Sequence, residues 1–252
     1  MPRLSFNIVP VSTVTRAEQE VMFQLFQQYY DLPDPAGFFR DFAAKDDVII
    51  LRDRKTKEIK GFSTQKKLTH KINGKEYLGV FSGDTIIDRA YWGDYTLGWA
   101  FFWYLTKLCL PWPWTRIYWH LISKGYKTYL LMTNNFTTFY PRFDQSTPTF
   151  FQSLSDDFAR QLYPITYNKA KGLLVFEGPH EHLKGNVAPI TPEHRQRFPH
   201  INYFAERNPE WEKGDELVCV AEYHMLLPLM LVKKLVSKAF KRVLLTKPRP
   251  AR

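Results

Sequence analysis

The spacing of apolar and polar positions changes along this chain, and each change marks an element. Residues 5–11 read as a first strand. Thr15 followed by Glu18 has the spacing of a capping box. Val21, Leu25 and Phe26 then recur at helical intervals, so a helix is expected up to Pro33. Pro35 opens a second short helix through Phe38, Phe39 and Phe42. Residues 48–52 and 59–70 read as paired strands joined by the polar turn 53–58. Asn73-Gly74 signals a hairpin into a long strand over 76–87. Residues 97–110 are apolar on nearly all sides, which predicts a buried helix. A strand over 116–122, a helix over 126–136 and strands over 172–176 and 216–222 complete the reading. About 40 residues rich in Pro, His, Asn and Gly separate the last two strands, and a loop of that length is usually functional or mobile. The order β-α-α-β-β-β-α-β-α-β-β predicts an α+β fold of mixed α/β layers.

Charge changes this picture at one end only. The chain of 252 residues has 35 Lys and Arg against 25 Asp and Glu, a net charge of +10. Eight of the basic residues and no acidic one fall in 226–252, which leaves +2 for the rest. Val232, Leu235, Val236, Ala239, Phe240 and Val243 follow helical spacing there, with Lys233, Lys234, Lys238, Lys241 and Arg242 on the opposite arc. A basic amphipathic C-terminal helix and tail over 224–252 are therefore expected, appended to a domain over 1–223 with a long insertion at about 178–214. Basicity confined to a tail argues against a nucleic-acid partner and for local docking on an acidic protein or an anionic membrane surface. The first ten residues lack the apolar core of a signal peptide. The apolar run at 97–110 is broken by Lys107 and ended by Pro111, short of a span. A cytoplasmic protein that touches a membrane surface is one expectation. Cys109 and Cys219 read as buried small hydrophobes, and His180-Glu181-His182 implies no third ligand, so no metal is expected.

Candidate chemistry concentrates in 78–105. A long apolar strand runs into Arg89, then Trp92, Gly93 and Gly98, then a helix. Strand, glycine turn and helix N-terminus together make an anion site, because unpaired backbone N–H groups and the helix dipole favour phosphate there. Arg89 adds a charge-assisted contact. Ser82, Asp84 and Ile86 are expected on one face of the strand by period-two alternation. Asp84 is then a candidate general base and His120, on the adjacent strand, the second choice. Each could equally be a core residue with its hydrogen bonds satisfied.

The element order and the 78–143 segment resemble the GNAT superfamily of acyl-CoA N-acyltransferases. In that family the fourth strand leads into an Arg/Gln-x-x-Gly-x-Gly/Ala loop that holds the pyrophosphate of CoA. Asp88-Arg89-Ala90-Tyr91-Trp92-Gly93-Asp94 lacks the Gly-x-Gly and is one residue long. That departure leaves two readings: a reshaped CoA site, or a donor without the nucleotide, such as an acyl carrier protein. Asn134, Asn135 and Phe139-Tyr140-Pro141-Arg142-Phe143 resemble the family's Asn followed by a Tyr. The resemblance implies that Asn134 contacts the donor and that Tyr140 is the acid toward the departing thiolate. It implies a central mixed sheet flanked by helices and transfer of an acyl group, long chains included, from acyl-CoA or acyl-phosphopantetheine to an amine of an amino acid, peptide or metabolite. The alternatives are an inactive binding module of the same fold and a peripheral membrane protein docking through its basic tail.

Overall fold

The computed structural model describes residues 3–178, 181–185, 187 and 189–227. In chain order the first elements are β1 (Leu4–Pro10), α1 (Arg16–Gln27), β2 (Tyr30–Asp31), α2 (Pro35–Ala43), β3 (Asp47–Asp53), β4 (Ile59–Ile72) and β5 (Lys75–Ile87). Next come α3 (Thr96–Cys109), β6 (Ile117–Ser123), α4 (Tyr126–Asn135), β7 (Phe139–Tyr140) and α5 (Thr149–Leu162). The last are β8 (Tyr167–Asn168), β9 (Leu173–Leu174), β10 (His182–Leu183), α6 (Pro192–Arg197), α7 (Pro199–Arg207) and β11 (Glu216–Tyr223). The main sheet has the order β1-β3-β4-β5-β6-β11-β9-β8, with β7 also on β11. Among the described residues only β5 and β6 pair in parallel, as a crossover through α3 requires. The expected mixed sheet flanked by helices is thus present, with β5 as the fourth strand from the β1 edge.

Alternation along the strands sorts side chains into two layers. Ile49, Leu51, Val80, Ile117, Trp119 and Leu121 pack under α3, α4 and α7. On the other face Val48, Ile50, Phe62 and Ile86 meet α1 and α2, and Phe81 and Val218 meet Phe158 of α5. Thr15 and Glu18 form the capping box read from their spacing. Both cysteines are buried in the first of these layers, where they behave as small hydrophobes.

Three expectations are corrected. Residues 149–162 form a helix that the strand-and-turn reading passed over, although Phe151, Leu154 and Phe158 have helical spacing. The long insertion carries α6 and α7, each opened by a proline at its first turn, where the missing N–H costs nothing. The helix at 97–110 is not buried all round. Its Trp99 and Trp103 face solvent. The expected basic helix of the tail lies outside the described residues from 228 onward. No described helix is long and apolar enough to cross a membrane.

Candidate active site

The parallel ladder between β5 and β6 ends at the pair Phe81–His120. Beyond it the ladder stops, and among the described residues the edge of β5 from Ser82 onward has no ladder partner on that side. At the same level β5 carries an extra residue: Ser63 of β4 pairs with Thr85, but Gln65 pairs with Ser82. Such a bulge bends the strand and frees a backbone group from pairing. The sequence explains why it sits there. Gly83 has no Cβ, and one built on it would lie 2.6 Å from Thr64 Oγ1 and 2.7 Å from Lys45 Cε. The bulge is also pinned by a chain of hydrogen bonds through the buried Ser63 and Gln65 and the half-buried Ser82 and Thr85. Trp119 Nε1 donates to Ser82 Oγ at 2.9 Å, Ser82 to Gln65 Oε1 at 2.8 Å, and Gln65 Nε2 to Ser63 Oγ at 2.8 Å. Ser63 lies 2.8 Å from Thr85 Oγ1, which donates to the Gly83 carbonyl at 3.1 Å. Every hydroxyl is used once as donor, which accounts for four polar residues inside two strands.

The extra residue also reverses the phase of β5. Ser82 is held under Trp119 on the α3 face, whereas Ile86 packs against α1 and α2. Ser82, Asp84 and Ile86 therefore do not share one face. Asp84 lies with the charges of the α1–α2 face, close enough to feel Asp41, Lys45, Lys124 and Glu181. Burial, reinforced by Asp41, pushes its carboxyl up to about 7.

Around Asp84 is a cluster that sequence reading missed. Lys124 follows β6 at the mouth of the cleft, with Nζ 2.8 Å from Glu181 and 3.5 Å from Glu216. Its ammonium also lies 5.1 Å from the Tyr30 ring centroid. Burial opposes the charge on Lys124, but Glu216 and Glu181 outweigh it and raise the pKa of the amine. Glu216 opens β11 and is 4% exposed, and burial pushes its carboxyl up to about 7 despite Lys124. Lys45 is bonded to the Asp41 carboxylate. Burial keeps the hydroxyls of Tyr30 and Tyr163 protonated, and both feel Asp84. Thr64 Oγ1, buried beside the bulge, has no hydrogen-bond partner among the described residues. Four carboxyl groups thus share two lysines. The signal in the sequence was a charge at the end of each of two apolar strands, Lys124 just after β6 and Glu216 at the start of β11, but only the fold brings them together.

The mouth of the cleft is lined by cations. Trp92 folds back to donate from Nε1 to the Ile87 carbonyl at 2.9 Å. Lys127, in the first turn of α4, lies 4.6 Å from the Trp92 ring and Arg89 lies 5.5 Å from it. Burial, and then the charge of Arg89, lower the pKa of Lys127. A lysine whose charge is opposed by a neighbouring arginine, in the first turn of a helix, favours an anion beside it. Over this mouth β10 pairs with β2, and the Val187 carbonyl accepts from Lys127.

The structure places the other predicted residues elsewhere. Gly93 and Gly98 flank the start of α3, but that start lies at the outer edge of the sheet. Asp94 accepts from the Arg3 backbone at 2.9 Å, one residue before β1. From β1 to β5 is three strand spacings, about 14 Å. Asp94 also accepts from Thr96 N at 2.9 Å, so a carboxylate already occupies the helix N-terminus, its pKa lowered by these bonds against the effect of burial. The backbone N–H at the start of α3 is thus already taken by a carboxylate, which disfavours a second anion there. Asn134 is exposed at the far end of α4, about 12 Å along the helix from the cleft. Tyr140 pairs with Val220, which pairs with His120, so it lies two strands beyond β6. It packs on Phe151 at 4.7 Å and its hydroxyl accepts from Gln145, which makes it a core tyrosine. His120 does border the root of the cleft, but it is sealed. Its ring stacks on Phe158 at 4.5 Å, and Nε2 lies 2.9 Å from His70 Nε2. His70 Nδ1 in turn lies 2.8 Å from Asp157. Burial lowers the pKa of both imidazoles. If Asp157 accepts from His70 Nδ1, then His120 donates from Nε2 and its Nδ1 is a bare acceptor, which is the atom left without a partner. Glu181 and His182 serve Lys124 and, at 3.9 Å, Asp31. His180 lies outside the described residues.

No family model and no curated protein sequence matches this chain. Solved structures do resemble it. They include Arabidopsis thaliana NAA60 in complex with a bisubstrate analogue, at 16% identity over 53% of this chain and 84% of that one, with a TM-score of 0.40. A GNAT family N-acetyltransferase from Escherichia coli in complex with CoA aligns at 10% identity over 49% of this chain and 64% of that one, with a TM-score of 0.36. A conserved Enterococcus faecalis protein described as a probable N-acyltransferase aligns at 13% identity over 54% of this chain, with a TM-score of 0.37, and the match spans a third of its length (33%).

Proposed function

We propose that this chain transfers an acyl group from a phosphopantetheine thioester to an amine. The observation that carries the reading is the opening of the β5–β6 pair at a pinned bulge, beside Asp84 and a surplus of carboxyl groups. An extended thioester arm fits an opening between two parallel strands, where its amides meet unpaired strand edge. The bulge turns a backbone donor toward the thioester carbonyl, where charge develops on attack. A protonated amine is drawn to the acidic cluster. Ionised Asp84, with a pKa near neutrality, first takes one proton from the ammonium, and the free amine then attacks the carbonyl carbon, its second proton passing to solvent as the intermediate forms. Collapse of the intermediate breaks the C–S bond. The Tyr30 hydroxyl, held protonated beside Lys124, is placed to protonate or hydrogen-bond the thiolate.

Arg89 and Lys127 hold the phosphate of the donor arm. This division of labour suits CoA and an acyl carrier protein alike, since both present phosphopantetheine. The acceptor is an amino acid, a peptide or a small amine. A second reading, a binding module without turnover, is favoured by one observation: Lys124 already neutralises Glu181 and Glu216 as a substrate ammonium would. Thiol release decides between them. The protein is incubated with acetyl-, octanoyl- and palmitoyl-CoA, and with the matching carrier-protein thioesters, against a panel of amines. Amine-dependent thiol release that Asp84→Asn abolishes supports transfer. Donor binding by calorimetry without any release supports the binding module, and absence of both rejects the donor site.

A further inference from the structure

The outward arc of α3 is made of aromatic rings. Trp99 is 73% exposed and Trp103 50%, with Tyr95 at 80% before the helix. Leu110 at 54%, Trp112 at 76% and Trp114 at 93% continue the surface past its end. At 100° per residue, Tyr95, Trp99, Trp103 and Leu110 fall within about 80° of one another, a stripe about 22 Å long. The opposite arc, Ala100, Phe101, Tyr104 and Leu105, is buried in the core, so the helix does not need the tryptophans for its own packing. An apolar surface of this extent on a soluble fold marks an interaction site.

We propose that this face seats the protein on an anionic phospholipid bilayer at the level of the headgroups. Tryptophan and tyrosine, with an apolar ring and a polar edge, concentrate at that depth in membrane-bound proteins. The charge around the stripe selects the same partner. Residues 95–116 contain Lys107 and Arg116 and no acidic residue. Arg3 and Arg54 line an open groove of about 730 Å³ together with Tyr95, Trp99 and Asp94, whose carboxylate is already engaged by the Arg3 and Thr96 backbone N–H groups. The chain leaves the described residues at Leu227, close to this helix: Tyr223 lies 2.7 Å from Thr106 through their hydroxyls and 6.1 Å from Phe102 between ring centroids. The 25 residues that follow carry eight basic side chains and no acidic one. The polybasic stretch thus follows in sequence a segment packed on the middle of α3, and an aromatic stripe for the interface with a polybasic stretch for its surface charge anchors more firmly than either alone.

The full-length chain is floated with vesicles of phosphatidylcholine and phosphatidylserine at 7:3, with a parallel set in which the phosphatidylcholine is brominated. Expected results are co-flotation, quenching of tryptophan fluorescence by the brominated lipid, and at least tenfold weaker vesicle binding after Trp99→Ser, Trp103→Ser, Trp112→Ser and Trp114→Ser together. Circular dichroism checks that the variant is folded. Should the fourfold variant fail to fold, Trp103→Ser and Trp114→Ser singly are each expected to weaken binding about threefold. Wild-type protein that stays off the vesicles overturns the proposal. So does binding that salt abolishes and the tryptophan changes leave intact, which assigns all contact to the tail. A wild-type dimer that the variant dissociates, without vesicle binding, assigns the face to a second copy and also overturns it.

Discussion

Replacing Asp84 by Asn keeps the shape of the side chain and removes its charge. The structure sets both consequences. Asp84 has its carboxyl raised from 3.8 to about 7 by burial and by Asp41. A shift of about three units at about 1.4 kcal/mol per unit means that ionised Asp84 costs the fold about 4 kcal/mol. The sign follows from proton counts. Between the two pKa values the folded chain binds a proton that the unfolded chain has lost, so wild-type stability falls as pH rises through this window. It levels off above about pH 7. Below about pH 4 both states are protonated and the cost vanishes. Asp84→Asn is therefore expected to match the wild type near pH 4 and to exceed it by about 2–4 kcal/mol at pH 8, the lower figure allowing for relaxation around the charge. For a chain of this length that is a rise in melting temperature of very roughly 4–16 °C. The same variant loses turnover by about 10²–10⁴-fold, the usual worth of a positioned base. Urea denaturation at pH 4, 6 and 8, followed by tryptophan fluorescence, reads the first effect, and thiol release reads the second. A stability difference that does not change with pH, or intact turnover in the folded variant, would refute the assignment of Asp84 as a strained base. A residue that serves only packing shows neither the pH-dependent gain nor the loss of rate.

Arg89→Ala and Lys127→Ala should each weaken donor binding by about 1.5–3 kcal/mol in calorimetry, the range for a lost hydrogen bond to a charged group. Because the charge of Arg89 lowers the pKa of Lys127, the two losses should be non-additive. Tyr140→Phe should turn over at the wild-type rate, because its hydroxyl meets only Gln145. Tyr30→Phe should lower kcat about 10²-fold with donor binding unchanged. Gly83→Ala should destabilise the chain by about 1–3 kcal/mol through overpacking against Thr64 and Lys45, read by thermal denaturation.

Periodicity found the longer strands and the first four of the seven described helices because burial on one face imposes it directly. The capping box at Thr15 and the hairpin at Asn73-Gly74 were legible for the same local reason. What failed was whatever depends on a single inserted residue or on a long path. The bulge beside Gly83 puts Ser82 and Ile86 on opposite faces, so counting by twos misassigned the surroundings of Asp84. The segment after β5 looks in sequence like a phosphate loop feeding a helix. In space residues 88–95 cross the end of the sheet, and Asp94 ties the start of α3 to β1. The pairing of Lys124 with Glu181 and Glu216 joins three segments far apart in sequence, and no spacing rule reaches across them.

This displacement of α3 has a consequence for the donor. Where a helix N-terminus receives phosphate, recognition comes from backbone N–H groups and tolerates side-chain change. Here Asp94 fills that terminus, and the anion must be held by Arg89 and Lys127, whose charges are exposed to screening at the mouth. Binding of the donor should therefore fall with salt more steeply than dipole binding inside a closed loop would, because exposed charges are screened within about 10 Å at 0.1 M ionic strength. The aromatic face that runs down α3 from the same loop ties the two features together. Trp92 at the mouth and Tyr95 and Trp99 at the start of the stripe are separated by only a few residues and line one groove with Arg3 and Arg54. A chain seated on anionic lipid through α3 would thus hold its donor entrance near the membrane surface, where acyl thioesters of longer chains partition.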